Sequence, residues 1–252
     1  MISRDKTPDL APATMSEADG VRYLHLGTPW VQGAMRVRAP HAIELEYVQR
    51  MMAWMLLRPT DRLTRGHAVQ LGLGAAAITR FTHSTMRMHT TAVELNPTVI
   101  AACRLWFKLP RDSARLQVLE MNAAHYAADP ENIDTATALC VDLYDHDAAS
   151  PVLDSAAFYN DCAALLVDGG VMAVNLFGRD ASYERSADRI ADAFGRERCV
   201  ALRPTREGNT VVLALKNEAL PDRDEMSVRA DAIEARFGLP ARKWLRMLRD
   251  LP

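Results

Sequence analysis

The chain has 252 residues, 49% of them hydrophobic and 25% charged, with a formal net charge of −2, so it can bury a sizeable core. That balance carries no basic footprint for nucleic acid, no apolar run is long enough for a membrane span, and the polar start MISRDKTPDLAPATMSEADG lacks the apolar stretch of a secretion signal. Cys103, Cys140, Cys162 and Cys199 are widely spaced without a CxxC pair; they read as small buried thiols in a reducing compartment, which implies a cytoplasmic protein without nucleic-acid or membrane partners.

Residues 1–18 read as a disordered lead-in. Residues 19–58 hold a hairpin and a helix: VRYLHLGT and WVQGAMRV are strand-like runs around a turn, and PHAIELEYVQRMMAWMLL sets Ile43, Tyr47, Met51 and Trp54 at helical spacing. Pro40 is the expected start of that helix and Arg58-Pro59 its stop. From 59 to 220, strands and helices alternate. The strand-like runs are AVQLGLG, MHTTAVEL, LQVLEMN, ATALCVDLYD, VMAVNLF, CVALRP and TVVLALKN, with helix-like runs such as NPTVIAACRLWFK, SAAFYNDCAALLV and SYERSADRIADAFGR among them. Strands that are apolar on both faces and separated by helices specify a parallel sheet covered on both sides. The last two are joined only by TREGN, too short for a crossover helix, so they must form an antiparallel hairpin. The expected fold is α/β and Rossmann-like, a seven-stranded, mostly parallel sheet ending in an antiparallel hairpin, as in class I S-adenosylmethionine-dependent methyltransferases. Residues 221–252 read as a charged helical tail whose Trp244, Leu245, Leu248 and Leu251 form an apolar stripe that packs on the domain or on a second subunit, or else meets a membrane surface.

In HAVQLGLGAAAITRF a strand runs through Gly72 and Gly74 into a helix. Missing side chains let a ligand lie against the backbone there, and a helix start offers free N–H groups. No Lys-Ser/Thr follows, so it is not a phosphate loop of the nucleoside-triphosphate type. Glu94 closes the next strand about twenty residues on, the spacing that puts a carboxylate on the two hydroxyls of a ribose. Nicotinamide and adenosylmethionine enzymes share both features. The Gly-Gly pair in LLVDGGVMAVNLFG and the closing hairpin favour the second. Asp142 ends a very apolar strand at the carboxyl edge of the sheet, where such folds bind ligands.

Together these runs resemble the spermidine synthase (polyamine aminopropyltransferase) family over about residues 21–217. LGLGAAAITRF is similar to the family's glycine loop, AVELNPTVIAACRLWF to its ribose-binding strand and helix, MNAAHY to its adenine-side turn, CVDLYDHD to its Asp-x-x-Asp segment and WVQGAMRV with ELEYVQRMM to its hairpin and gate helix. The resemblance implies a transferase moving an aminopropyl group from decarboxylated S-adenosylmethionine to a polyamine amine, without a metal, as a homodimer. It makes Asp142 the base and puts Asp145, Tyr144 and Tyr47 around the amine. It puts Gln32, Gly72, Gly74, Ala75, Glu94, Asn122 and Ala123 around the nucleoside ligand.

The sequence departs from the family pattern at two points and from the methyltransferase pattern at a third. Ala75 stands where the family has an acid for the ligand's amino group, Asn122 replaces the acid of the adenine turn, and Gln70 stands where methyltransferases often have their acid. A lost charge-assisted bond contributes about 1.5–3 kcal/mol, at least tenfold in affinity. A methyltransferase acting on a small nucleophile with intact S-adenosylmethionine, or a non-catalytic family member, are therefore the alternatives. The seven histidines and four cysteines show no zinc spacing such as HExxH, and no GxSxG supports a serine hydrolase.

Overall fold

The computed structural model describes residues 10–143, 153–177 and 181–251. Two sheets organise it. The smaller is antiparallel, β1 (Ala13–Ala18), β2 (Val21–Leu26) and β3 (Gly33–Arg36) in that order. The predicted hairpin is β2–β3. The last six residues of the expected lead-in are a third strand instead, because Ala13 to Ala18 find a free edge on β2.

The helix predicted from Pro40 begins only at Glu46: α1 (Glu46–Met51) continues as a 3-10 turn over Met52–Leu57. The main sheet follows in the order expected: β4 (His67–Leu71), β5 (His89–Glu94), β6 (Leu116–Glu120), β7 (Ala136–Val141), β8 (Leu166–Phe177), β9 (Cys199–Leu202) and β10 (Asn209–Leu215). Their helices are α2 (Ala77–Arg80, followed by a π turn to Thr85), α3 (Pro97–Trp106), α4 (Ala123–Ala128), α5 (Ala156–Leu165) and α6 (Ala181–Phe194). The tail forms α7 (Arg223–Phe237), α8 (Ala241–Met247) and a short β11 (Leu248–Asp250).

Strand order is β11-β9-β10-β8-β7-β4-β5-β6. Strands β8, β7, β4, β5 and β6 are parallel to their neighbours in that run, and β10 pairs antiparallel with both β8 and β9. This is the expected seven-stranded arrangement with its hairpin. It gains an eighth, antiparallel strand because residues 248–250 of the tail pair with the open edge of β9. The Gly-Gly pair is not a free turn either. Gly169 donates to Lys216 O and Lys216 donates to Gly170 O, so the pair is an irregular stretch inside β8.

The sheet is apolar on both faces. Ala68, Ala138 and Cys140 pack with Met51, Trp54, Ile233 and Trp244 on one face. Val69, Leu71, Leu139 and Val141 pack with Phe158, Tyr159 and Phe194 on the other. Trp244, Leu245 and Leu251 of the tail are buried within this one chain, so these residues of its apolar stripe pack on the domain. The four cysteines are buried and unbonded. No helix among the described residues is long and apolar enough to cross a membrane.

Candidate active site

Strand β4 lies between β7 and β5, so the strand order switches direction there and a crevice opens at its carboxyl end. The turn leaving β4 is pinned on both sides: Gly72 donates to Val93 O and Asp142 donates to Leu71 O, each at 2.9 Å. Gly72 has φ +87°, and a Cβ there would fall 2.1 Å from the Asp142 carbonyl oxygen. Its role is therefore to let two strand ends close on each other. Gly74, at φ +50°, brings the turn against the β2–β3 connection, where a Cβ would lie 3.2 Å from Gln32 O.

The loop is held from below by buried polar groups. Gln70 donates its amide to Gly72 O and Leu73 O and accepts the hydroxyl of Thr79, so it is a brace of the loop. The Cys103 thiol donates to Gly74 O at 3.1 Å, and burial pushes that thiol far above the ordinary range. Arg80, fully buried, donates to the carbonyls of Pro40, Ala75 and Phe107. Burial lowers its pKa to about 10.

Glu94 faces the loop. One carboxylate oxygen accepts Leu73 N–H at 2.9 Å and the other Asn96 N–H at 2.8 Å. Burial raises its pKa, and these backbone donors oppose the rise. Each oxygen keeps a second lone pair for a ligand hydroxyl. Met121 N–H donates to Glu94 O, which sets the end of β6 beside that of β5. There Asn122 caps α4 by accepting Ala124 N–H, and Ala123 opens the helix.

Asp142, just past β7, is sunk in the wall of a narrow cleft that also includes Gln32, Tyr47, Gln70, Gly74 and Ala75. The room inside is about 20 Å³, the space of one water. The Asn175 amide donates to Asp142 Oδ1 at 2.9 Å, and the Tyr47 hydroxyl also donates to this carboxylate. Burial drives the Asp142 carboxyl upward and the two donors oppose it. Among the described residues, Gln32 Nε2 is buried without a hydrogen-bond partner. Ala75 lies tight against Gly33, where an added Cβ would fall 2.6 Å from Ala75 Cβ, so glycine at 33 lets β3 approach the loop.

Of the residues the sequence singled out, Gln32, Tyr47, Gly74, Ala75 and Asp142 share the cleft. Gly72 and Glu94 support its floor, and Asn122 and Ala123 lie one strand further along. Tyr144 and Asp145 lie outside the described residues. Asn175 was missed, although a single asparagine inside the otherwise apolar VMAVNLF was a visible signal. Among the described residues no group of three or more His, Cys, Asp or Glu could hold a metal ion.

No protein-family model matches the chain. Its fold is similar to that of a probable spermidine synthase from Corynebacterium glutamicum, at TM-score 0.70 and 17% identity over 92% of this chain and 90% of that one. It is also similar to human methyltransferase-like protein 13, whose structure contains SAH, at TM-score 0.63 and 21% identity over 82% of this chain and 95% of that one. In sequence it is 30% identical to the polyamine aminopropyltransferase of Neisseria meningitidis over 238 residues, 93% of this chain and 88% of the relative. By that match, at 30% identity over 93% of its length, the chain belongs to the polyamine aminopropyltransferase family.

Proposed function

We propose that this protein transfers an aminopropyl group from decarboxylated S-adenosylmethionine to an amine of a small polyamine such as putrescine, with Asp142 as base. The observation that carries the assignment is the Asp142 carboxylate, set in the wall of the cleft beside the glycine turn. The amine nitrogen forms a bond to the carbon next to the sulfonium, the carbon–sulfur bond breaks, and its electron pair leaves with a neutral thioether. An amine that arrives protonated has no lone pair for the attack, so its proton must pass to a base held at the cleft wall. A carboxylate driven upward by burial is a stronger base than one in water, and the cleft aligns the two reacting atoms.

The remaining roles follow the family pattern. Tyr47 walls the amine pocket, where its hydroxyl also donates to Asp142. Glu94 takes the ribose hydroxyls, and Asn122 with Ala123 flanks the adenine. Gln32 offers its amide to the ligand tail, and Asp145 and Tyr144 complete the amine pocket. Four unbonded thiols suit a reducing compartment such as the cytoplasm, and the family resemblance implies a homodimer.

One observation favours a second reading, methyl transfer from intact S-adenosylmethionine. The cleft has no acid at position 75 and holds the unpaired donor of Gln32, which suits a carboxylate-bearing ligand tail. Mass spectrometry of purified protein incubated with putrescine and each sulfonium ligand separates the two. Aminopropylated putrescine from the decarboxylated ligand is expected; a methylated amine from the intact ligand as the sole product overturns the proposal.

A further inference from the structure

Behind Asp142 runs a line of polar side chains through the apolar sheet. Asn175, 3% exposed on β8, donates Nδ2–H to Asp142 Oδ1 at 2.9 Å. Asn209, where β10 begins, donates Nδ2–H to Asn175 Oδ1 at 3.2 Å. The buried Thr205 hydroxyl donates to Asn209 Oδ1 at 3.4 Å. The direction of the line is forced. An ionised carboxylate only accepts, so Asn175 must turn its nitrogen to Asp142 and its oxygen to Asn209, which must then donate. Every donor points at the carboxylate, and such aligned dipoles strengthen one another in a low-dielectric interior.

We propose that Asn175, backed by Asn209 and Thr205, is the positioning residue of the base: it fixes Oδ1 of Asp142, keeps the carboxylate ionised and leaves a lone pair of the carboxylate, beside the Tyr47 hydroxyl, for the substrate ammonium. This rests on the reading of Asp142 as base. The other titratable groups facing Asp142 among the described residues are the Tyr47 hydroxyl from α1 and, on its own strand, Cys140. Burial, with Asp142 adding to it, pushes the Cys140 thiol up to about 12, so it stays neutral. From β4 the cleft receives the uncharged Gln70. Tyr144, Asp145, His146 and Asp147 follow in sequence outside the described residues.

The test is the pH dependence of kcat/KM for the amine in wild type, Asn175→Leu and Asn209→Leu, measured side by side so that the amine's own titration cancels. Losing a donor to a charged group raises the carboxyl pKa, so the acidic limb should move up by about one pH unit in Asn175→Leu. On the acidic limb, below the wild-type midpoint, kcat/KM should fall about tenfold, and it should recover at alkaline pH, with the KM of the sulfonium ligand unchanged. Asn209→Leu should shift the same limb by less, and it decides the matter should Asn175→Leu fail to fold. A uniform loss at every pH, or an unmoved limb, overturns the proposal. An inactive Asp142→Asn beside an unmoved limb in the asparagine variants rejects this inference alone; an active Asp142→Asn rejects the base reading with it.

Discussion

At the scale of single residues, the floor of the cleft depends on a missing methyl group. Gly72 combines φ +87° with a close approach to the Asp142 carbonyl, and an alanine there meets both penalties. A left-handed non-glycine residue costs about 1–3 kcal/mol before any clash, and the clash is with backbone, which must move. Gly72→Ala should lower the melting temperature by several degrees, since a chain of this size loses about 2–4 °C per kcal/mol, and should reduce activity by displacing Asp142. A variant as stable and active as wild type in a thermal melt and a turnover assay would show that the pinch is not needed. The two glycines were legible in the sequence, but their division of labour was not: Gly72 meets Asp142 and Gly74 meets the β2–β3 connection, each across a long stretch of chain. Asn175 stands out in its apolar run, but its partner, 33 positions away, does not.

At the scale of elements, the tail matters because it packs beside α1, which carries Tyr47. Lys243 on α8 pairs with Glu46 at 2.8 Å, and Glu46 also meets Arg50. The Lys243 and Arg50 contacts hold the Glu46 carboxyl below its usual range. Both members of the Lys243–Glu46 pair are about half exposed, and such pairs contribute about 0–1 kcal/mol. Trp244 is 1% exposed in the core against Trp54 and its neighbours. Trp244→Ala should therefore cost about 3–5 kcal/mol in denaturant unfolding, while Lys243→Ala should cost less than about 1 kcal/mol; equal losses would mean that charge, not burial, docks the tail. Alternation of apolar strands and helices made β4 to β10 readable. Strands β1 and β11 were not, because ATMSEA and LRD are short and mostly polar and become strands only where β2 and β9 leave an edge unpaired.

At the scale of the whole molecule, strand order decides where chemistry can occur. With β4 between β7 and β5, the turn of Gly72, the carboxylate of Glu94 and that of Asp142 come from three neighbouring strand ends on one edge. The small sheet closes over it through Gln32 and Gly33, and α1 supplies Tyr47. Both acids were named from sequence because each ends an apolar strand. Their engagement by Leu73, Asn96, Asn175 and Tyr47 needed coordinates. The folded state holds a proton on Asp142 more tightly than the unfolded chain does, so ionising it reduces stability as pH rises from the unfolded value through the folded one. An uncharged amide at 142 should thus fold at least as well at pH 7. The decisive measurement compares wild type with Asp142→Asn for aminopropyl turnover, with affinity for decarboxylated S-adenosylmethionine and melting temperature as controls. Turnover should fall by about 10²–10⁴, with affinity within about threefold and no loss in melting temperature. Wild-type turnover in that variant would contradict the account.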